Sequence, residues 1–123
     1  MRAMVIDDSR TMRKILSKIL VDIGFEVSEA ENGSDALTRL KANGAPDLAL
    51  VDWNMPVMNG FEFIQAVRQD AQYSALRLMM VTTETGFDEM QAALAAGANE
   101  YVMKPFTKEV ILEKLSLMGI GST

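Results

Sequence analysis

With 123 residues the chain reads as one domain, long enough to bury roughly two-thirds of its unfolded surface, and an apolar fraction of 49% argues against disorder. The 17 acids against 12 bases leave a net charge of −5, without the basic footprint of a nucleic-acid binder. Cysteine and histidine are both absent, which excludes disulfides, thiolate metal sites, imidazole ligands and the commonest general base.

The elements alternate strand and helix five times. Ala3 to Ile6 is the first strand. The first helix runs from about Ser9 to Ile23, with Met12, Ile15, Leu16, Ile19, Leu20 and Ile23 at helical spacing and Gly24 as its stop. Phe25 to Ala30 is the second strand. Ser34 is expected to cap the second helix, with Asp35 in its first turn, Leu37 and Leu40 facing inward and Gly44 at its end.

The third strand covers Asp47 to Val51, followed by a loop from Asp52 to Asn59 punctuated by Pro56 and Gly60. Phe61, Ile64 and Val67 mark the third helix, and Leu76 to Thr82 the fourth strand. The fourth helix spans about Phe87 to Ala96 and stops at Gly97. Glu100 to Met103 is the fifth strand. The fifth helix starts near Thr107 and carries Val110, Ile111, Leu115 and Met118. The domain is expected to occupy residues 1–118, with 119–123 a frayed tail. Most of the 10 methionines are expected to fill core. No segment is apolar enough to cross a membrane, and nothing near Met1 resembles a signal peptide, so a cytoplasmic protein is expected.

Short apolar runs followed by helical patterns read as buried parallel strands, and right-handed crossovers place helices on both sheet faces. The result is a three-layer α/β domain. Four of the runs end in a reactive residue: Met4-Val5-Ile6 in Asp7-Asp8, Leu48 to Val51 in Asp52, Leu78 to Val81 in Thr82, and Tyr101-Val102-Met103 in Lys104-Pro105. In an open α/β sheet these ends share one edge, where ligands bind.

Three carboxylates there conflict. Two charges about 4 Å apart repel by about 4 kcal/mol at an effective dielectric of roughly 20. A cation or a shared proton must relieve them, and an all-oxygen ligand set favours Mg²⁺, with Mn²⁺ as the alternative. A carboxylate in such a site can act as a nucleophile toward phosphorus. Lys104 offers a point charge for phosphate oxygens, Thr82 a hydroxyl donor, and the backbone N–H groups after Asp52 further donors.

Asp7-Asp8, Asp52, Thr82 and Lys104-Pro105-Phe106, together spanning nearly the whole chain, resemble the signature of two-component response-regulator receiver domains. Asp52-Trp53-Asn54-Met55-Pro56, Met80-Val81-Thr82 and Tyr101 to Thr107 are most similar to the chemotaxis regulators of that family. The resemblance implies a flavodoxin-like doubly wound (βα)5 fold with five parallel strands in the order 2-1-3-4-5.

The resemblance also implies roles. Asp52 would accept the phosphoryl group, from a sensor histidine kinase or a histidine phosphotransfer protein. Asp8, Asp52 and the backbone carbonyl of Asn54 would ligate Mg²⁺ directly, and Asp7 mostly through water. Lys104 would pair with the phosphoryl group and Thr82 would hydrogen-bond it. Tyr101 would be a switch that turns inward from solvent when Thr82 moves, and Lys104–Pro105 would be a cis peptide. Asn54 and Glu84 would tune hydrolysis. The fourth helix, fifth strand and fifth helix would form the surface for a downstream protein, with Phe87, Met90 and Tyr101 on it.

The implied protein is a monomer that contacts neither nucleic acid nor lipid directly and is not an enzyme, beyond assisting its own phosphorylation and dephosphorylation. Phe87 stands where the chemotaxis regulators carry a lysine, and Thr83 where they carry an alanine, so the flagellar motor as target is not implied. Three other readings compete. A haloacid-dehalogenase-like phosphatase also forms an aspartyl phosphate, but has a second Asp where this chain has Asn54. A flavodoxin-like carrier would need a phosphate cradle where this chain has Asp7-Asp8. The chain could also be the receiver fragment of a longer regulator.

Overall fold

The apolar runs pair side by side into one parallel sheet, and each segment between them folds as a helix. The structure is a computed structural model that describes residues 1–83 and 86–120. Its elements are β1 (Arg2–Ile6), α1 (Arg10–Ile23), β2 (Glu26–Ala30), α2 (Gly33–Asn43), β3 (Leu48–Val51), α3 (Gly60–Arg68), β4 (Arg77–Thr82), α4 (Phe87–Ala96), β5 (Glu100–Met103) and α5 (Lys108–Leu117), with a 3-10 turn at Ala71–Tyr73. The strand order is β2-β1-β3-β4-β5. Phe25, Asp47 and Leu76, expected within strands, lie just outside them.

Side chains alternate between the two sheet faces, and both faces are covered. Met4, Ile6, Ala49, Val51, Leu78, Met80 and Tyr101 pack with Ala36, Leu40, Phe63, Ile64, Val67 and Ala93 of α2, α3 and α4. Ala3, Val5, Leu48, Leu50, Met79, Val81 and Val102 pack with Leu16, Leu20, Ile111 and Leu115 of α1 and α5. Ile15, on the apolar spacing of α1, nevertheless stays 45% exposed. Its neighbours Leu16 and Leu20 already fill the stripe that reaches the sheet.

Local chemistry sets the helix ends. The Ser9 side chain accepts from the Met12 N–H, and Gly24 closes α1 at a φ of 121°. The cap of α2 is Asn32, not Ser34: the Asn32 side chain accepts the Asp35 N–H, because the helix begins at Gly33. Asn59 and Glu62 form a reciprocal capping box at the start of α3. The expected frayed tail begins later than Gly119, since the Ile120 N–H donates to the Leu115 carbonyl at 3.0 Å and its side chain packs on the second cluster. Gly121 to Thr123 lie outside the described residues.

Candidate functional site

β1 is flanked by β2 on one side and β3 on the other, so the strand order reverses there. The crevice for a ligand then opens at the carboxyl ends of β1 and β3. Ile6 pairs with Val51, and the next residue on each strand is acidic. The ladder continues into the site. The Asp52 N–H donates to the Ile6 carbonyl at 2.9 Å, the Asp7 N–H to Ala30 at 3.1 Å and the Lys104 N–H to Thr82 at 2.8 Å. The functional side chains therefore stand on sheet geometry rather than on free loops.

One carboxylate oxygen from each of Asp7, Asp8 and Asp52 lies within 4.8 Å of the others. Asp7 and Asp52 are buried and Asp8 is exposed at the mouth. Lys104 reaches in from β5, its Nζ 3.0 Å from Asp7 Oδ2 and 3.7 Å from Asp52 Oδ2. Asp7 also accepts the Ser9 N–H at 2.9 Å. Burial, followed by the negative charge of Asp7, pushes the Asp52 carboxyl above its ordinary value of 3.8; Lys104, the Thr82 hydroxyl and the Trp53 N–H oppose the rise.

This donor set fits a small hard cation. Three carboxylates with one lysine leave uncompensated negative charge, Asp8 stands open to solvent, and only oxygen ligands are at hand. Asp7 accepts from Lys104 and from the Ser9 N–H, Asp52 lies farther from the same lysine nitrogen, and Asp8 faces solvent.

Thr82 is fully buried on the same face of the sheet as Tyr101. Met80 pairs with Tyr101 and Thr82 with Met103, so the two side chains are diagonal neighbours. Tyr101 departs from expectation: it is only 7% exposed and packs in the α2–α3–α4 core. Its ring lies inside, and it is no part of the exposed surface. Phe87 is 70% exposed, while Met90, one turn on, is half-buried against the core. Thr83 and Asn54 are exposed. Glu84 lies outside the described residues. The Lys104–Pro105 peptide is cis, as expected. Trp53 packs on Phe61 with ring centroids 5.6 Å apart.

Two contributors escaped the sequence reading. Arg13 donates to the Asp7 carbonyl at 2.6 Å and pairs with Glu29 at 3.1 Å, which pins the peptide between the two acids. No local pattern shows this, because Glu29 arrives from β2. Gly60 reads as a turn residue in sequence. In three dimensions a Cβ there would collide with the Asp52 carbonyl, and its N–H donates to the Trp53 carbonyl at 2.9 Å. Glycine thus lets α3 seat directly against the Asp52 backbone.

A parallel sheet carrying this acid and lysine constellation is the architecture of a signalling receiver domain. The family description "Response regulator receiver domain" matches residues 3–116, and the chain belongs to that family. Chemotaxis protein CheY1 of Helicobacter pylori is 44% identical over 119 residues, covering 96% of each chain. The chemotaxis protein CheY homolog of Campylobacter jejuni is 44% identical over 124 residues, covering 99% of this chain and 95% of its own. Among solved structures, chemotaxis protein CheY4 of Vibrio cholerae superposes with a TM-score of 0.86 at 39% identity, over 94% of this chain and 95% of that one.

Proposed function

We propose that this chain is a phosphorylation-controlled switch in chemotaxis or a related two-component pathway, with Asp52 as the phosphoacceptor. The observation that carries this reading is the convergence of Asp7, Asp8 and Asp52 within 4.8 Å with Lys104 on two of them. The phosphodonor is a phosphohistidine on a sensor kinase or phosphotransfer protein. An Asp52 oxygen forms the new bond to phosphorus, the N–P bond breaks, and the imidazole leaves with the electron pair. Transfer of this kind needs positioning and charge neutralisation more than proton movement.

Lys104 supplies positive charge to the phosphoryl oxygens and Thr82 a hydrogen bond. Bound Mg²⁺, or Mn²⁺ in its place, adds neutralising charge; Asp8, Asp52 and the Asn54 carbonyl hold it, with Asp7 contributing through water. Asn54 and Glu84 set the lifetime of the acyl phosphate. Thr82, drawn toward the phosphoryl group, alters the packing of Tyr101 next to it. The change reads out on α4, β5 and α5, where a downstream protein docks.

The protein acts as a cytoplasmic monomer, away from nucleic acid. Among the described residues no helix is long and apolar enough to cross a membrane. A dehalogenase-like phosphatase is disfavoured, because Asn54 offers no carboxyl to protonate a leaving group.

Incubation with acetyl phosphate and Mg²⁺ should add one phosphate, lost in Asp52→Asn and without sustained turnover of p-nitrophenyl phosphate. Labelling of Asp52→Asn at the parent rate would defeat the assignment. Sustained turnover would favour the phosphatase.

A further inference from the structure

The loop from Asp52 to Asn59 contains a strained residue. Val57 adopts a φ of 68°, although its branched Cβ makes a positive φ unfavourable. The Met58 N–H donates to the Pro56 carbonyl at 2.7 Å. A bond across three residues with positive φ at the centre is the rare, strained form of the γ-turn. Val57 is 83% exposed, so burial of its own side chain does not hold it there.

Such a conformation persists only when its surroundings over-determine it. The restraint comes from α2. The Gly33 N–H donates to the Met58 carbonyl at 3.0 Å. The Met58 side chain lies over Gly33 so closely that a Cβ there would stand 2.7 Å from Met58 Cγ and 3.0 Å from both its carbonyl oxygen and Sδ. Gly33 has an ordinary φ, so glycine is required there for space, not for backbone freedom. At the loop's far end the Gly60 N–H holds the Trp53 carbonyl.

We propose that Gly33 is a positioning residue for the phosphoacceptor loop, acting through Met58. The first residue of α2 clamps the strained turn and thereby fixes the backbone of Trp53 and Asn54 beside Asp52. This rests on the reading of that loop as part of a metal and phosphoryl site. A side chain at position 33 displaces Met58, releases the turn and moves the loop, with no residue of the acid cluster altered.

The test is a Mg²⁺ titration followed by Trp53 fluorescence, with thermal melts in EDTA alongside. Four variants are compared with the parent: Gly33→Ala, Met58→Ala, the double variant and Ser34→Ala. Gly33→Ala should raise the Mg²⁺ midpoint on the order of tenfold, as loss of an outer support of a metal site does. On the Met58→Ala background the same substitution should have little further effect, since the atoms it strikes are mostly gone. Ser34→Ala, exposed on the same helix turn, should match the parent.

A parent-like midpoint in Gly33→Ala, with only its melting temperature lowered, overturns the proposal, as does full additivity in the double variant. If Gly33→Ala does not fold, Met58→Ala alone decides: a raised midpoint supports the clamp and an unchanged one overturns it. A parent that shows no Mg²⁺ response and no labelling of Asp52 defeats the reading of the site. A responsive parent with an indifferent Gly33→Ala defeats only the clamp.

Discussion

Asp52 is held where its charge is least welcome. Burial and Asp7 raise its folded-state pKa above 3.8. Between the unfolded and folded values the native state binds more protons, so stability falls as pH rises through that window. The loss is complete above the folded pKa. In EDTA at pH 7, Asp52→Asn should therefore melt higher than the parent, and the gap should close on acidification toward the unfolded value. Melts across that range check it; a gap that widens on acidification would contradict it. Saturating Mg²⁺ should stabilise the parent, as any native-state ligand does, and Asp52→Asn less. Val57 is the second residue with a definite expectation. Asn tolerates a positive φ and an exposed valine loses little burial, so Val57→Asn should stabilise by about 1 kcal/mol. A urea midpoint shift with an unchanged m value would show this.

Among the elements, α3 and α4 depend on one side chain. Arg68 donates to the Gly97 carbonyl and to Asn99 Oδ1 at 3.0 Å each, and to the Tyr73 carbonyl at 3.1 Å. It therefore ties the end of α3 to the 3-10 turn and to the close of α4, while Asn99 Oδ1 also accepts the Leu78 N–H. Burial, and then Arg77, lower its pKa, yet a guanidinium remains charged at neutral pH. Arg68→Lys keeps the charge and loses the planar fork. It should cost about 2 kcal/mol, from several hydrogen bonds of roughly 1 kcal/mol each. Urea denaturation measures it, and a cost under about 0.5 kcal/mol would assign Arg68 no such role. At the start of α4, Gly86 offers no side-chain cap, and the Glu89 carboxylate folds back over it instead.

For the whole molecule, the site and the proposed output surface share one sheet. β4 carries Thr82 beside Asp52, and its partner β5 carries Tyr101 below and Lys104 at the tip. On the proposed function, a change at the acid cluster passes to α4 and β5 through Thr82 and Tyr101, diagonal neighbours on one sheet face. Phe87 lies on the outside of this path at 70% exposure. Phe87→Ser should leave stability within about 0.5 kcal/mol of the parent and weaken capture of a downstream partner by the beryllofluoride-treated protein. NMR shifts confined to α1 and the acid cluster, with α4 silent, would remove this face from the switch.

The sequence by itself determined the layers, the five strands and the residues at the site. Apolar runs and helical apolar spacing are local, and each reactive residue stands at or just past the end of its strand, so no long-range knowledge was needed to bring Asp7, Asp8, Asp52, Thr82 and Lys104 to one edge. The misplaced cap of α2 has a local reason: Asn32 and Ser34 are both good capping residues, and residue type alone does not choose between them. Only the tertiary structure decided that Tyr101 lies inside, because space beside β4 depends on how α4 packs. Only it showed Arg13 on the Asp7 carbonyl, Ile120 in the core, and a valine forced into the left-handed region. Each of these depends on groups far apart in the chain, and residue type alone carries no record of which surfaces will meet.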